Sequence, residues 1–421
     1  MPARRSSEIS NNRRFPSRAL AVIAGLLLAL LLLAPAAASA SVGSQVASIL
    51  SRHGLAGSGT SVGMYDLTGK RPLYDLRWDV LRLPASNEKL VTSAAALADW
   101  SAAHHFSTEL YGPVAAPDAA GVLDGDLYLK GFGDPSLKTA GLGVFVAKLQ
   151  SFGITKITGR VLADDGYFDA LRTAPSWRPG MVAYCGPLSA LTLNEGFGPG
   201  GRYVADPAVW AAGTLTKLLR AAGIKVVHAA ARGVVLADAT RLGTESSAAL
   251  AHLLARMNKE SDDFYAEELL KGLGASFWGA GTTAAGATVA VQGLNALGVT
   301  DGFRIRDGSG LSYQDKLSAH AIVKLLGAMS RRADFATFLG SLSIAGKDGT
   351  LGDRMKGTRA AGNVHGKTGT LAAASCLSGY VTSANGHLLA FSILMNGSGL
   401  SQTKAHDAQD EISEALAAAA P

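Results

Sequence analysis

The sequence predicts an α/β (α+β) protein whose main domain is interrupted by a β-rich insertion. Helical patterns occupy both ends of the chain, whereas residues 106–245 carry short alternating segments separated by turn clusters. Of the 421 residues, 48% are hydrophobic and 17% are charged, so the chain can bury a large core. That length fits two domains, or one domain that carries a large insertion.

The segments on either side of the insertion outline the main domain. Before the insertion, the pattern predicts helices and strands at 47–55, 60–65, 72–74 and 87–100. After it, the pattern predicts two helices, a closing hairpin and a terminal helix, at 250–257, 264–273, 375–382, 387–395 and 404–419. Asn385-Gly386, between the last two strands, is typical of a two-residue hairpin turn. We therefore predict a discontinuous domain, 41–105 plus 246–421, around the insertion at 106–245.

Residues 1–40 have the organisation of a secretory signal peptide. A basic stretch comes first and contains Arg4, Arg5, Arg13, Arg14 and Arg18. An uncharged, leucine-rich run follows at 19–38, and Ala38-Ser39-Ala40 supplies a cleavage pattern. The alternative is an uncleaved membrane tether, because about twenty apolar residues can span a bilayer. Pro35 and the small residues after it favour cleavage, so we expect an exported protein, periplasmic or on the outer face of the cytoplasmic membrane.

Charge and cysteine content exclude several classes of protein. The formal charge of +6 lies mostly in the signal segment, so nothing in the mature chain indicates nucleic-acid binding. After export, Cys185 and Cys376 can form a disulfide or remain as buried thiols, and both alternatives stay open. The nine histidines show no metal-binding spacing, so no metal is expected.

Ser86-Asn87-Glu88-Lys89 forms an S-x-x-K tetrad at the start of a predicted helix. This spacing places the lysine amine on the same face as the serine hydroxyl. A neutral lysine can then accept the serine proton, and the helix terminus favours negative charge on the nucleophile. The alternative is a helix-capping serine beside a solvated lysine. Ser401-Gln402-Thr403-Lys404 fits the same letters, and we interpret it as an ordinary capped helix start.

Two further motifs follow, Ser261-Asp262-Asp263 and Lys367-Thr368-Gly369-Thr370. A strand carrying K-T-G can lay a substrate along its edge, because the lysine and threonines face an anionic group and glycine permits close approach. In the other motif, Ser261 or an aspartate caps the next helix, or the Ser261 hydroxyl relays a proton between Lys89 and a leaving group. Ser383-Ala384-Asn385 matches S-x-N better in letters, but it lies in the hairpin turn and is rejected.

These motifs, in this order, resemble the active-site set of penicillin-binding proteins and serine β-lactamases. More specifically, the chain resembles the D-alanyl-D-alanine carboxypeptidase/endopeptidase family of low-molecular-mass penicillin-binding proteins, which carry a large insertion after S-x-x-K. The supporting stretches are residues 84–89, 125–135, 164–168, 257–259, 307–312, 348–351 and 366–370. The interval between Ser86 and Ser261 is too long for an ordinary class A β-lactamase.

The resemblance implies a penicillin-binding-protein/β-lactamase-like transpeptidase fold, with an antiparallel five-stranded sheet and helices on both faces. It also implies two-step acyl transfer on peptidoglycan stem peptides, with no cofactor and with β-lactams as covalent inhibitors. Ser86 is the expected nucleophile, Lys89 the base and Ser261 the proton carrier. The expected substrate-binding residues are Asp263, Lys367, Thr368, Gly369 and Thr370. The backbone N–H groups of Ser86 and Thr370 are expected to hold the oxyanion.

Asp263 departs from the family pattern, which has asparagine at this position. An amide can donate to a substrate carbonyl, whereas an ionised carboxylate only accepts. A β-lactamase or esterase on the same fold, or a catalytically impaired peptidoglycan-binding homologue, therefore stays an alternative. The insertion is expected to shape substrate choice without supplying acylation chemistry. Its candidates for stem-peptide recognition are Asp164 and Phe168, although a turn residue and a core aromatic are the favoured interpretation of these two.

Overall fold

The computed structural model describes residues 41–421, and the predicted signal segment lies outside them. Its helices are Val42–Arg52 (α1), Lys89–Asp99 (α2), Gly143–Ser151 (α3), Val182–Cys185 (α4), Pro207–Ala221 (α5), Leu250–Lys259 (α6), Asp263–Trp278 (α7), Thr283–Ala296 (α8), Ala319–Met329 (α9), Phe335–Ser341 (α10) and Gln402–Ala418 (α11). Single 3₁₀ turns lie at Ala85–Glu88, Asn194–Gly196, Pro199–Gly201 and Gly349–Leu351.

The strands of residues 41–421 form four sheets, of which two are large. Their bounds are Thr60–Asp66 (β1), Arg71–Leu76 (β2), Ser107–Gly112 (β3), Val122–Leu123 (β4), Leu127–Gly131 (β5), Lys156–Ile157 (β6), Val161–Asp164 (β7), Lys225–Val226 (β8), Ala231–Arg232 (β9), Thr240–Ser246 (β10), Phe303–Arg304 (β11), Lys316–Leu317 (β12), Ser343–Ile344 (β13), His365–Leu371 (β14), Ala374–Thr382 (β15) and Leu388–Asn396 (β16).

The main sheet has the order β13-β14-β15-β16-β1-β2, and every neighbouring pair is antiparallel. It agrees with the predicted fold class, with one strand more than expected because the two-residue β13 pairs at the edge. Side chains of β15 alternate between two cores, since successive residues of a strand point to opposite faces. Tyr380 faces the core that contains α2 and α9, whereas Leu377 and Val381 face α1 and α11.

A second sheet occupies the predicted β-rich region, with the order β10-β3-β5-β7-β9. Its own core is lined by α3 and α5, two helices that the sequence analysis did not predict. The pairs β5–β7 and β7–β9 are parallel, and parallel neighbours need a crossover connection. The helix α3 lies between β5 and β7, and α5 lies between β7 and β9, so the helices supply these crossovers.

Two local predictions differ from the structure in detail. The S-x-x-K tetrad begins in the 3₁₀ turn Ala85–Glu88, and regular α-helix starts only at Lys89. The closing hairpin uses a three-residue loop, because Ser383 N–H donates to the carbonyl of His387 at 2.9 Å. Gly386 has a positive φ of 83° and Asn385 does not, so the turn is not the two-residue type that Asn-Gly favours.

Residues Val42–Pro421 pack as one compact unit. Cys185 and Cys376 are both buried free thiols. Within residues 41–421, no helix combines the length and the apolar character needed to cross a membrane.

Candidate active site

The nucleophile candidate Ser86 lies on a tight turn that carries it toward Lys89. In a 3₁₀ turn the side chains at i and i+3 eclipse each other, and Lys89 Nζ lies 3.0 Å from Ser86 Oγ. The preceding Ala85 adopts a positive φ of 46°, a strained conformation for a residue with a Cβ. Ser86 is partly exposed, whereas Lys89 is fully buried. The serine hydroxyl is therefore accessible from solvent and the amine beneath it is not.

Lys89 has two further partners, and both come from distant parts of the chain. Its Nζ donates to Asp263 Oδ1 at 2.5 Å and to the carbonyl of Ser309 at 2.9 Å. With Ser86, these contacts engage all three N–H donors of an ammonium group. The helix α7 is capped by Asp262, whose side chain accepts from the N–H of Tyr265. Capping thus falls to Asp262 and leaves Asp263 to pair with Lys89.

Ser261 hydrogen-bonds to Lys367, whereas the relay expected from the sequence joins Ser261 to Lys89 and stays a prediction. Lys367 Nζ donates to Ser261 Oγ at 2.8 Å and to the carbonyl of Thr368 at 2.9 Å. Burial lowers the pKa of Lys367 well below its ordinary value, and the nearby Lys89 charge lowers it further while Asp263 opposes both. An amine that loses its proton so readily can exchange one with the Ser261 hydroxyl.

The strand β14 lies directly against the nucleophile turn. Asn87 Nδ2 donates to the carbonyl of Lys367 at 3.0 Å and joins the two elements. A Cβ at Gly369 would come within 2.7 Å of the Pro84 carbonyl and 3.1 Å of the Ser86 nitrogen. Glycine is therefore needed there, because only its backbone fits so close to Ser86.

The threonines of K-T-G border the open side of the site. Thr370 is exposed and Thr368 is partly exposed. The Thr368 hydroxyl donates to Thr350 Oγ1 at 2.8 Å, so Thr350 orients it. An accessible strand edge beside a nucleophile fits an extended substrate.

The two rejected motifs lie where the sequence analysis placed them. Ser401 caps α11, since its side chain accepts from the N–H of Lys404. Ser383 lies in the hairpin loop, and its hydroxyl donates to Asn385 Oδ1.

Asp164 and Phe168 are buried in contacts internal to the protein. Asp164 accepts from Lys130 Nζ at 3.2 Å and from the N–H groups of Gly166 and Val235. The Phe168 ring packs against Gly133 and lies beneath the ammonium of Lys271. These contacts give both residues a structural role, and their part in stem-peptide recognition stays a prediction.

Sequence reasoning missed the groups that hold the site from beneath. The Ser309 carbonyl contacts Lys89, and the carboxylate of Asp307 accepts from the N–H groups of Gly310 and Ser312. The sequence did mark the loop itself, because residues 307–312 form an Asp-Gly-Ser-Gly-Leu-Ser stretch that supports the family resemblance. A backbone carbonyl carries no side-chain signature, so its function was not predictable.

Known proteins resemble this chain over most of its length. The model of the D-Ala-D-Ala carboxypeptidase 3 (S13) family matches residues 42–200 and 198–419. A D-alanyl-D-alanine carboxypeptidase of Actinomadura sp. (strain R39) is 32% identical, over 83% of this chain and 80% of the relative. A carboxypeptidase of Mycobacterium tuberculosis is 28% identical, over 81% and 77% of the two chains. The structure of penicillin-binding protein 4 from Haemophilus influenzae, 21% identical, superposes with a TM-score of 0.75 over 88% of this chain and 98% of that one, which shows the shared fold.

Proposed function

The chain belongs to the D-Ala-D-Ala carboxypeptidase 3 (S13) family of serine peptidases, and we propose that Ser86 is the residue that attacks its substrate. The observation that carries this proposal is the meeting of three distant motifs around one hydroxyl. Lys89 lies 3.0 Å from Ser86 Oγ, Asp263 pairs with Lys89, and Ser261 pairs with Lys367. A nucleophile with a base in reach, and a second hydroxyl–amine pair beside it, is the arrangement that acyl transfer requires.

The proposed reaction has two steps. Ser86 Oγ bonds to the carbonyl carbon of the penultimate D-alanine while its proton passes to Lys89 in the neutral amine form. The peptide bond breaks, and Ser261 passes a proton to the departing amine and takes one from Lys367. Water then hydrolyses the ester: its OH joins the acyl carbon, its remaining proton returns through Ser261 to Lys367, and Lys89 gives its proton back to Ser86 Oγ as the shortened peptide leaves. The N–H groups of Ser86 and Thr370 hold the oxyanion in both steps.

Thr368 and Thr370 receive the terminal carboxylate of the substrate at the β14 edge, and the arriving negative charge favours the ammonium form of Lys367 behind them. Lys367 is buried and bonded to Ser261, which supports a role in proton transfer as well as charge complementarity. The substrates are peptidoglycan stem peptides, and β-lactams acylate the same serine. The enzyme works outside the cytoplasmic membrane, with residues 41–105 and 246–421 as the catalytic domain and 106–245 as the insertion domain.

Covalent labelling tests this proposal. Penicillin should add one β-lactam mass to the intact protein, on the peptide that carries Ser86. Ser86→Ala should lose the adduct, whereas Ser401→Ala should keep it, because Ser401 is a helix cap in the same letter pattern. Labelling that survives in the Ser86→Ala protein would remove Ser86 from the mechanism.

A further inference from the structure

One segment of the β-rich region leaves that region and packs on the main domain. We call residues 172–188 the strap, and its two ends are joined by Arg172 Nη1, which donates to the carbonyl of Leu188 at 2.8 Å. Cys185 and Leu188 belong to the main core, and Trp177 packs against it. The strap therefore reaches the domain that carries Ser86.

The strap contacts the loop that holds Lys89. The indole Nε1–H of Trp177 donates to Asp307 Oδ2 at 2.7 Å. One residue further, the Arg178 guanidinium lies 3.4 Å above the centre of the Tyr313 ring. Two successive strap residues thus contact the two ends of the loop formed by residues 307–313.

Asp307 organises this loop from within. Its Oδ1 accepts from Gly310 N–H and its Oδ2 accepts from Ser312 N–H, both at 2.7 Å. These bonds close the loop so that the Ser309 carbonyl points at Lys89 Nζ, 2.9 Å away. A donated N–H from Trp177 adds a third bond, and this donor belongs to the strap.

The buried carboxyl groups around Asp307 increase the importance of the hydrogen bond from Trp177. Asp307 is fully buried, as are Glu88, Glu267 and Asp315 beside it. Burial and the charge of Asp307 raise the pKa of Glu88 and Glu267 well above their ordinary values. A carboxylate in such surroundings depends on its hydrogen-bond donors, because each one offsets part of the lost hydration.

We propose that Trp177 is a positioning residue for acylation, acting through Asp307 on the Ser309 carbonyl and hence on Lys89. The inference rests on the proposed role of Ser86 and extends it. It also changes the expected division of labour, because a residue of the β-rich region then contributes to the acylation step itself. Lys89 must be held with its nitrogen toward Ser86 Oγ, and small displacements of a catalytic amine reduce rates strongly.

The test compares two replacements that both remove the second ring of the indole. Trp177→Phe also removes the N–H, whereas Trp177→His keeps an N–H at the matching position of a five-membered ring. We expect the acylation rate constant at saturating penicillin to fall about tenfold in the Phe protein, as for loss of a hydrogen bond to a charged group. The His protein should recover most of that rate, and the dissociation constant of the initial penicillin complex should not change in either.

Tyr184→Phe is the control, because Tyr184 is an exposed residue of the same strap. A His protein no faster than the Phe protein would overturn the inference, and so would a loss confined to penicillin affinity. A second check combines Trp177→Phe with Asp307→Asn. The double variant should be no slower than the slower single variant, and losses that multiply would show that Trp177 acts without Asp307. A wild-type protein that penicillin does not acylate would instead overturn the proposed function.

Discussion

Buried ionisable side chains have different partners in the catalytic part of the molecule and in the β-rich region. Around Ser86, Lys89 and Lys367 are fully buried, and so is Glu88, whose two carboxyl oxygens have no hydrogen-bond partner among the described residues. In the β-rich region, the buried Asp164 has an ion pair with Lys130 and two backbone donors. The main domain leaves the buried Lys367 and Glu88 without an ion-pair partner among the described residues, whereas the β-rich region pairs its buried Asp164.

Charged side chains at the surface of the β-rich region are also paired with opposite charges. Asp165 pairs with Arg172 and Arg232, each at 2.7 Å, and Arg232 also reaches Asp206 at 2.7 Å. Partly exposed ion pairs of this kind contribute about 0–1 kcal/mol each, and pairing in general favours the charged form of a group. Burial without full pairing does the opposite, because it penalises the charged form and changes how readily a group exchanges protons. The contrast places the unpaired buried amine of Lys367 in the main domain, where a lowered pKa suits proton transfer.

The largest effect should come from exchanging a lysine in each region for methionine. Lys367→Met should lower the penicillin acylation rate constant at least about a hundredfold, the usual range for loss of an acid–base group. It should nevertheless raise the Tm, because burial penalises the Lys367 ammonium and an apolar side chain carries no such penalty. The lowered pKa of Lys367 means that the folded state disfavours its ammonium, so the gain should be larger at pH 6 than at pH 10.

Lys130→Met is the matched control and should show the reverse pattern. It leaves Asp164 buried without its cation, so the Tm should fall while acylation by penicillin stays within about twofold of the wild-type rate. Rates by stopped flow and Tm by calorimetry decide the outcome. If Lys367→Met were destabilised and Lys130→Met were not, the contrast between the regions would be wrong.

A smaller effect is expected at the boundary between the regions, where Glu268 of α7 accepts from the N–H of Ser189 at 2.9 Å. Burial raises the pKa of this carboxyl from 4.5 to about 8. A raised folded-state pKa stabilises the protein fully below pH 4.5, and that contribution is lost as pH rises toward 8. Glu268→Gln keeps the acceptor for Ser189 and cannot ionise. Its unfolding free energy should therefore lose less between pH 5 and 8 than that of the wild type, whose extra loss is at most about 1.4 kcal/mol per pH unit.

Chemical denaturation at several pH values measures this difference. Glu414→Gln serves as the control, because Glu414 is exposed on α11. If the unfolding free energies of the wild-type and Glu268→Gln proteins change in parallel with pH, then Glu268 is ionised throughout this range. The buried carboxyl at this boundary would then be stabilised as an anion, as Asp164 is in the β-rich region.

The sequence predicted those features that depend on local geometry. The approach of Lys89 to Ser86 follows from a three-residue spacing on one turn, and the cap role of Ser401 follows from its place before α11. It did not predict α3 and α5, because their need arises from parallel strand pairs that only the assembled sheet reveals. Nor could it decide which aspartate caps α7, since Asp262 and Asp263 are adjacent and either side chain can cap a helix.

Local sequence patterns also could not predict which side chains pair with the lysines of the site. Whether Ser261 meets Lys89 or Lys367 depends on how α7 lies against β14, and the structure gives Lys367. Sequence alone does not decide whether Asp263 pairs with Lys89, Lys367 or Lys259. The structure pairs Lys259 with Asp348 at 2.6 Å and leaves Asp263 with Lys89.

The smallest expected effect is also the most specific, and it concerns Asp263. Its carboxylate lies 2.5 Å from Lys89 Nζ and favours the ammonium form, which cannot accept the Ser86 proton. Asp263→Asn removes that charge and keeps an oxygen for Lys89, and its amide can also donate to a substrate carbonyl. We expect penicillin acylation at pH 7 to become roughly fivefold faster. The acid limb of the rate profile should move to lower pH, because a neutral Lys89 is then available in more acidic solution.

Asp262→Asn provides the control for this change, since it removes the same charge one residue away. Asp262 pairs with Arg256 and caps α7, and asparagine caps a helix as well as aspartate does. The control should therefore leave the acid limb where it is. Second-order acylation constants from about pH 5 to 10 for the three proteins distinguish the outcomes. If Asp263→Asn is slower, or its limb does not move, then the carboxylate assists Lys89, for example by receiving its proton, and its charge does not restrain acylation.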